Sequence, residues 1–168
     1  MCREAFRHPP ARAECAPSGS GYLPSMISVE RLVKTTPQRV WDVLADGWLY
    51  PLWVVGASRM RDVDDEWPAV GSRLHHSVGA WPALLDDDTE VTEVEPLKHL
   101  GLRARAWPVG EAAVRLHLEV QGAHTRVVIE EDAVSGPGTL VPKPLRAPGL
   151  KWRNVETLRR LAYIAERR

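Results

Sequence analysis

Residues 149–168, GLKWRNVETLRRLAYIAERR, decide how the rest of the chain has to be read. At about 100° per residue, Leu150, Val155, Leu158, Leu161, Ala162 and Ala165 share one broad apolar stripe, and Arg153, Glu156, Arg160 and Arg167 lie largely outside it. A helix of this length reaches about 25–30 Å and has an apolar face to bury along a sheet. Residues 111–122, EAAVRLHLEVQG, supply such a surface: Val114, Leu116, Leu118 and Val120 point one way, Arg115, His117, Glu119 and Gln121 the other. The expected class is α+β, with the last helix covering an antiparallel sheet.

Working back from there, strands separated by turn signals are expected from about residue 56. The signals are Asp64-Asp65, Asp86 to Asp88, Pro96, Pro108 to Gly110 and Gly122 to His124, which leaves room for five or six strands. Residues 135–149, SGPGTLVPKPLRAPG, hold four prolines and three glycines and read as an irregular connection. Nearer the start, ISVERLV (27–33) reads as a short half-buried strand. TTPQRVWDVLAD follows as a short helix, with Thr36 as N-cap, Pro37 at the first helical position and Val40, Trp41 and Leu44 on one face. Residues 47–55 are broken by Pro51 and predict a second short helical turn.

Composition narrows the function classes. The 168 residues carry 22 Lys and Arg against 22 Asp and Glu, so no global field recruits nucleic acid or an anionic membrane. No apolar run of 18 residues exists and the first 25 lack a secretory h-region, so membrane insertion is not expected and the default location is cytoplasmic. Cys2 and Cys15 both fall in residues 1–25, a Pro-, Gly-, Ser- and Ala-rich stretch expected to be a flexible extension ahead of a single domain at 26–168.

Three stretches look familiar as well as physically legible: TTPQRVWDVLAD after the first strand, WVVGASRMRDVDDEWPAVGSRLHHSVGAW at 53–81, and LKWRNVETLRRLAYIAE at 150–166. Over about residues 26–166 the chain resembles the SRPBCC superfamily (START or Bet v 1-like), and within it the bacterial polyketide cyclase/dehydrase and lipid transport proteins. The resemblance implies a helix-grip fold, a curved antiparallel sheet wrapped around the long C-terminal helix. It also implies an apolar cavity between them for a small hydrophobic or aromatic molecule, polyketide- or lipid-like. Superfamily members include carriers, sensors, enzymes and protein-binding modules, so the fold selects no activity. Two alternatives stay open: a cyclase/dehydratase using the same cavity, and an interaction module with a filled core. No cofactor is indicated, and the oligomeric state is left open.

Candidate site residues follow from facing. In RLHHSVGAW (73–81), Leu74, His76, Val78 and Ala80 share one strand face, which turns His76 inward and His75 outward. His76 reads either as a core histidine bonded to a neighbour or as a group that orients a ligand carbonyl or acts as acid or base. Adjacent strand residues point to opposite faces and cannot readily chelate one ion, and no HExxH or Cys/His spacing occurs, so no metal site is expected. Glu131 shares parity with Val127 and Ile129. It reads either as turned to solvent by a bulge or strand end, or as a cavity carboxylate that pairs with His76 in acid–base work. Among seven tryptophans, Trp53 and Trp81 are the preferred pocket or pocket-mouth residues. Val78, Leu102, Leu116 and Leu118 are expected to line the sheet side and Leu158 the helix side. Asn154, a polar residue inside the helical stripe, is bonded either to backbone or to a ligand.

Overall fold

The computed structural model describes residues 26–80, 83–106 and 110–168. The segment 1–25, expected to be an extension, lies outside them. The element order is β1 (Ile27–Val33), α1 (Pro37–Leu44), a 3-10 turn (Gly47–Leu49), α2 (Tyr50–Trp53), β2 (Ala57–Val63), β3 (Arg73–Ala80), β4 (Ala83–Glu95), β5 (His99–Ala106), β6 (Gly110–Gln121), β7 (His124–Ser135), a second 3-10 turn (Pro137–Leu140) and α3 (Lys143–Ala165). The seven strands form one antiparallel, curved sheet in the order β1-β7-β6-β5-β4-β3-β2. Each of β2 to β7 pairs with its sequence neighbour, and the first strand closes against the last.

Alternation in β6 dictates what α3 covers. Leu116 and Leu118 are buried and join a core with Val40, Val43, Leu44, Leu100, Val127, Leu158 and Leu161. Val120, on the same parity, is 71% exposed because it lies at the strand end, beyond the core. On α3 the buried positions are Asn154, Thr157, Leu158, Leu161, Ala162 and Ala165, spaced three or four apart as a helix face requires. Val155 is exposed, one position past the edge of that stripe, so the buried face is rotated towards Asn154 and Thr157 and is more polar than the sequence stripe.

Two further expectations differ from the structure. Residues 143–149 are helical rather than irregular, and α3 has 23 residues, about 34 Å at 1.5 Å each. Pro144 lies in the first turn, where N–H groups have no helical partner, and Pro148 removes a single bond one turn later. Asp86 to Asp88 form no turn: β4 runs through them because its neighbour matches them. Ser77 donates to Asp86 at 2.9 Å, His75 bonds Asp88 at 2.8 Å, and Arg61 lies 3.4 Å from Asp86 and 3.5 Å from Asp88.

Both ends of α3 are pinned. Asp132 on β7 holds Arg146 at 2.8 Å and Lys143 at 3.2 Å; at the other end Glu166 accepts the Lys34 backbone N–H at 2.8 Å, and Arg168 reaches Asp46 at 3.2 Å. Between α1 and α2 the chain passes so close to the sheet that a β-carbon on Gly47 would lie 2.6 Å from Leu74 Cδ2 and 2.7 Å from Val63 Cγ1. Leu74 is fully buried and cannot swing away. Gly47→Ala is therefore expected to destabilise the protein by about 1–3 kcal/mol through overpacking. Urea unfolding measures it, and an unchanged midpoint would contradict the packing described.

Candidate functional site

The covering helix and the sheet do not meet everywhere. Between α2, the β3, β5, β6 and β7 surface and α3 lies a cavity of about 260 Å³. Its apolar wall includes Val78, Leu102, Val114 and Ile129; its polar residues include Tyr50, His76, Glu131, Arg153, Asn154 and Thr157.

β3 alternation delivers His76, which is 2% exposed. Its Nε2 lies 2.9 Å from Thr89 Oγ1 on the neighbouring β4, and Thr89 Oγ1 lies 3.2 Å from the Tyr50 hydroxyl. The Tyr50 ring stands 5.2 Å from the imidazole and 5.3 Å, edge-on, from Trp53. Burial pushes the Tyr50 hydroxyl up to about 12 and pushes the His76 imidazole below its ordinary value, so near neutral pH the phenol keeps its proton and the imidazole is neutral. Every hydroxyl proton along this chain is used when Tyr50 donates to Thr89 and Thr89 donates to His76 Nε2. That arrangement leaves the imidazole proton on Nδ1, which has no protein partner. Two more residues on the cavity wall carry a buried unpartnered nitrogen: Trp53 at Nε1 and Asn154 at Nδ2.

Glu131 is 2% exposed, and the Arg153 guanidinium donates to its Oε1 from α3. The turn to solvent considered for Glu131 does not occur, because β7 keeps regular pairing here, with Val114 on one side and Ile27 on the other. Val55 N–H donates to Thr157 Oγ1 at 3.3 Å and fixes the end of α2 against α3.

Of the residues singled out in the sequence, Trp53, His76, Val78, Leu102, Glu131 and Asn154 meet on this one cavity. Leu116, Leu118 and Leu158 are not among its lining residues. Leu116 and Leu118 lie further along β6 than Val114, inside the packed core, and Thr157 rather than Leu158 reaches the cavity. Trp81 lies outside the described residues. Sequence reasoning missed Tyr50, Thr89, Arg153 and Thr157. Thr89 shares strand parity with Val91, a usable signal; Tyr50 sits in a Pro-broken turn that has no periodicity to place it. Among the described residues no group of three or more His, Cys, Asp or Glu is placed to hold a metal ion, and no helix is long and apolar enough to cross a membrane.

A long helix held by a curved antiparallel sheet, with a cavity between them, defines a helix-grip domain of the Bet v 1-like, SRPBCC type. The chain belongs to the polyketide cyclase/dehydrase and lipid transport family, whose family model matches residues 26–166. No curated protein matches the sequence. Among solved structures, protein MLL2253 from Mesorhizobium loti is 22% identical, with 84% of this chain and 97% of that chain covered and a TM-score of 0.63. The Bet v 1 homologue Ara h 8.0201 is 9% identical, with 85% and 98% covered and a TM-score of 0.66. The di-domain ARO/CYC protein StfQ of the steffimycin biosynthetic pathway is 10% identical, with 84% of this chain but 51% of that chain covered and a TM-score of 0.64. At these identities the likeness is one of fold.

His75 faces the opposite way from its neighbour. Its Nδ1 lies 2.8 Å from Asp88 and its Nε2 3.1 Å from Asp64, and these two carboxylates, Asp88 first, raise its pKa above 6.5. The folded state thus binds the His75 proton more tightly than the unfolded chain. The resulting stabilisation is full below about pH 6.5 and is lost as pH rises through the folded value. The melting-temperature difference between the native protein and His75→Gln is expected to be largest on the acid side and to shrink above neutrality. Thermal melts across about pH 5.5–8.5 measure it, and a difference that grows with pH contradicts the assignment.

Proposed function

We propose that this protein binds a small hydrophobic or aromatic molecule in the cavity between the sheet and α3. The observation that carries the reading is the cavity itself, about 260 Å³, with an apolar wall and three buried nitrogens that no protein group satisfies. Close-packed interiors leave few voids larger than a water molecule, and buried polar groups are nearly always bonded, so the combination favours a ligand over a filled-core interaction module. The volume exceeds the roughly 150 Å³ that accommodates benzene and falls just below the roughly 300–1,000 Å³ of drug-sized sites. The proposed ligand accordingly has one or two rings, at the small end of the polyketide- and lipid-like classes. Membership of the polyketide cyclase/dehydrase and lipid transport family and the fold likeness to the ARO/CYC protein StfQ support the same ligand chemistry. The proposal keeps the cytoplasmic placement expected from the sequence.

A second reading, a cyclase/dehydratase in the same cavity, is favoured by one observation: His76 is neutral and unpartnered at Nδ1. In that reading His76 exchanges a proton with the ligand, while Glu131, already engaged by Arg153, orients it. Product formation that is unchanged in both His76→Ala and Glu131→Ala removes this reading.

Native mass spectrometry of the purified protein before and after organic extraction, followed by titration with one- and two-ring compounds under Trp fluorescence, tests binding itself. The expected outcome is a saturable change, with about 2.7 kcal/mol of added stability at a hundredfold excess over Kd. Ala112→Phe, which fills the cavity from β6, is expected to abolish both effects while the protein stays folded. Failure of every compound to bind the native protein would move the reading to the interaction module.

A further inference from the structure

Resting on that cavity reading, we infer that His76 and Asp87 form a proton-operated switch in the cavity wall: an imidazole that takes up a proton is held by the Asp87 carboxylate, and an uncharged ligand is released. The two residues are direct partners in the β3–β4 ladder. Opposed residues of an antiparallel pair share a face, with β-carbons about 4.5–5.5 Å apart. Both side chains are buried, at 2% and 5% exposure, and each keeps one polar atom without a partner, Nδ1 on His76 and Oδ2 on Asp87. The other carboxylate oxygen, Oδ1, accepts the Asp88 backbone N–H at 2.9 Å. A neutral imidazole has one N–H to give, whereas the protonated ring donates from both nitrogens. Nε2 faces Thr89, so on protonation Nδ1 becomes a donor beside a carboxylate oxygen that lacks one.

The charged groups on the neighbouring elements are otherwise engaged. Arg61 on β2 reaches Asp86, Asp88 and the His76 and Asp87 carbonyls, and His75 is bonded to Asp64 and Asp88 on the outer face. Across the cavity Arg153 of α3 is engaged by Glu131 of β7, Arg105 of β5 lies 3.6 Å from Glu111 of β6, and Tyr50 of α2 keeps its proton. Burial is the main cause that lowers the His76 pKa, and Asp87 is the strongest of the charges acting on it, in the opposite direction. His76 lines the cavity and Asp87 does not. An uncharged ligand therefore displaces water from the imidazole while leaving the carboxylate as it was, which disfavours the protonated ring. By linkage, protonation weakens binding: affinity is full above the His76 midpoint and is lost as pH falls through it.

Calorimetric titration of the full chain with naphthalene, which has no group that titrates, tests this from about pH 8 to about pH 5, with folding checked by circular dichroism throughout. The dissociation constant of the native protein is expected to rise about five- to tenfold towards the acid end. His75→Gln is expected to keep that rise, whereas His76→Gln and Asp87→Asn flatten it. Asn retains an oxygen for the Asp88 N–H, and Asp87→Ser serves where Asn does not fold. Followed by NMR without ligand, the His76 imidazole is expected to titrate at lower pH in Asp87→Asn than in the native protein. Naphthalene bound equally across the range overturns the inference and leaves the cavity reading standing. A rise that persists in the Asp87 variant, or a His76 midpoint that the substitution leaves in place, overturns the pairing. Absence of naphthalene binding at every pH overturns the cavity reading and the inference together.

Discussion

The concave side of the seven-stranded sheet is wider than the apolar stripe of the one long helix that covers it, and most of the remaining architecture answers that mismatch. Leucine, valine and alanine side chains close the gap where α1 joins α3, and the packed core lies there. Towards the Gly110 end of β6 the sheet presents Ala112 and Val114 in place of Leu116 and Leu118, while the helix presents Asn154 and Thr157. Small residues on one side and polar ones on the other leave space, and α2 roofs it with Tyr50 and Trp53.

Holding a helix over a space it does not fill requires attachment elsewhere. Asp132 and Glu131, consecutive on β7, engage Arg146, Lys143 and Arg153 along the first half of α3; Glu166 and Arg168 secure its far end. The ion pair of Glu131 with Arg153 serves two purposes, since it anchors the helix and neutralises a carboxylate buried on the cavity wall.

Facing was legible in the sequence wherever alternation was unbroken. The parity of RLHHSVGAW set His76 inward and His75 outward, and the parity of β7 put Glu131 with Val127 and Ile129. The phase of α3 was less legible, because Asn154 and Thr157 are polar and a stripe drawn from hydrophobic residues alone leans towards Val155. Asp86 to Asp88 looked like a turn because three consecutive acids discourage a strand; His75 and Ser77 on the adjoining β3 and Arg61 on β2 make that strand stable. Tyr50 and Arg153 were missed for the same reason. Their roles depend on partners on other elements, and Arg153 looks solvated until the carboxylate opposite it is known.

A sheet in the order β1-β7-β6-β5-β4-β3-β2 is open, so it ends in two strands with unpaired backbone groups. One edge, β2, carries Arg59, Arg61 and Asp62 and slips register twice against β3, between Ala57 and Arg59 and between Met60 and Asp62. The other, β1, carries Glu30 and Arg31. Charge and an irregular ladder are what keep an open edge from templating a further strand. The protein can thus leave its sheet unclosed, as gripping a helix requires, with the β2 edge broken by its irregular ladder and the regularly paired β1 edge guarded by charge.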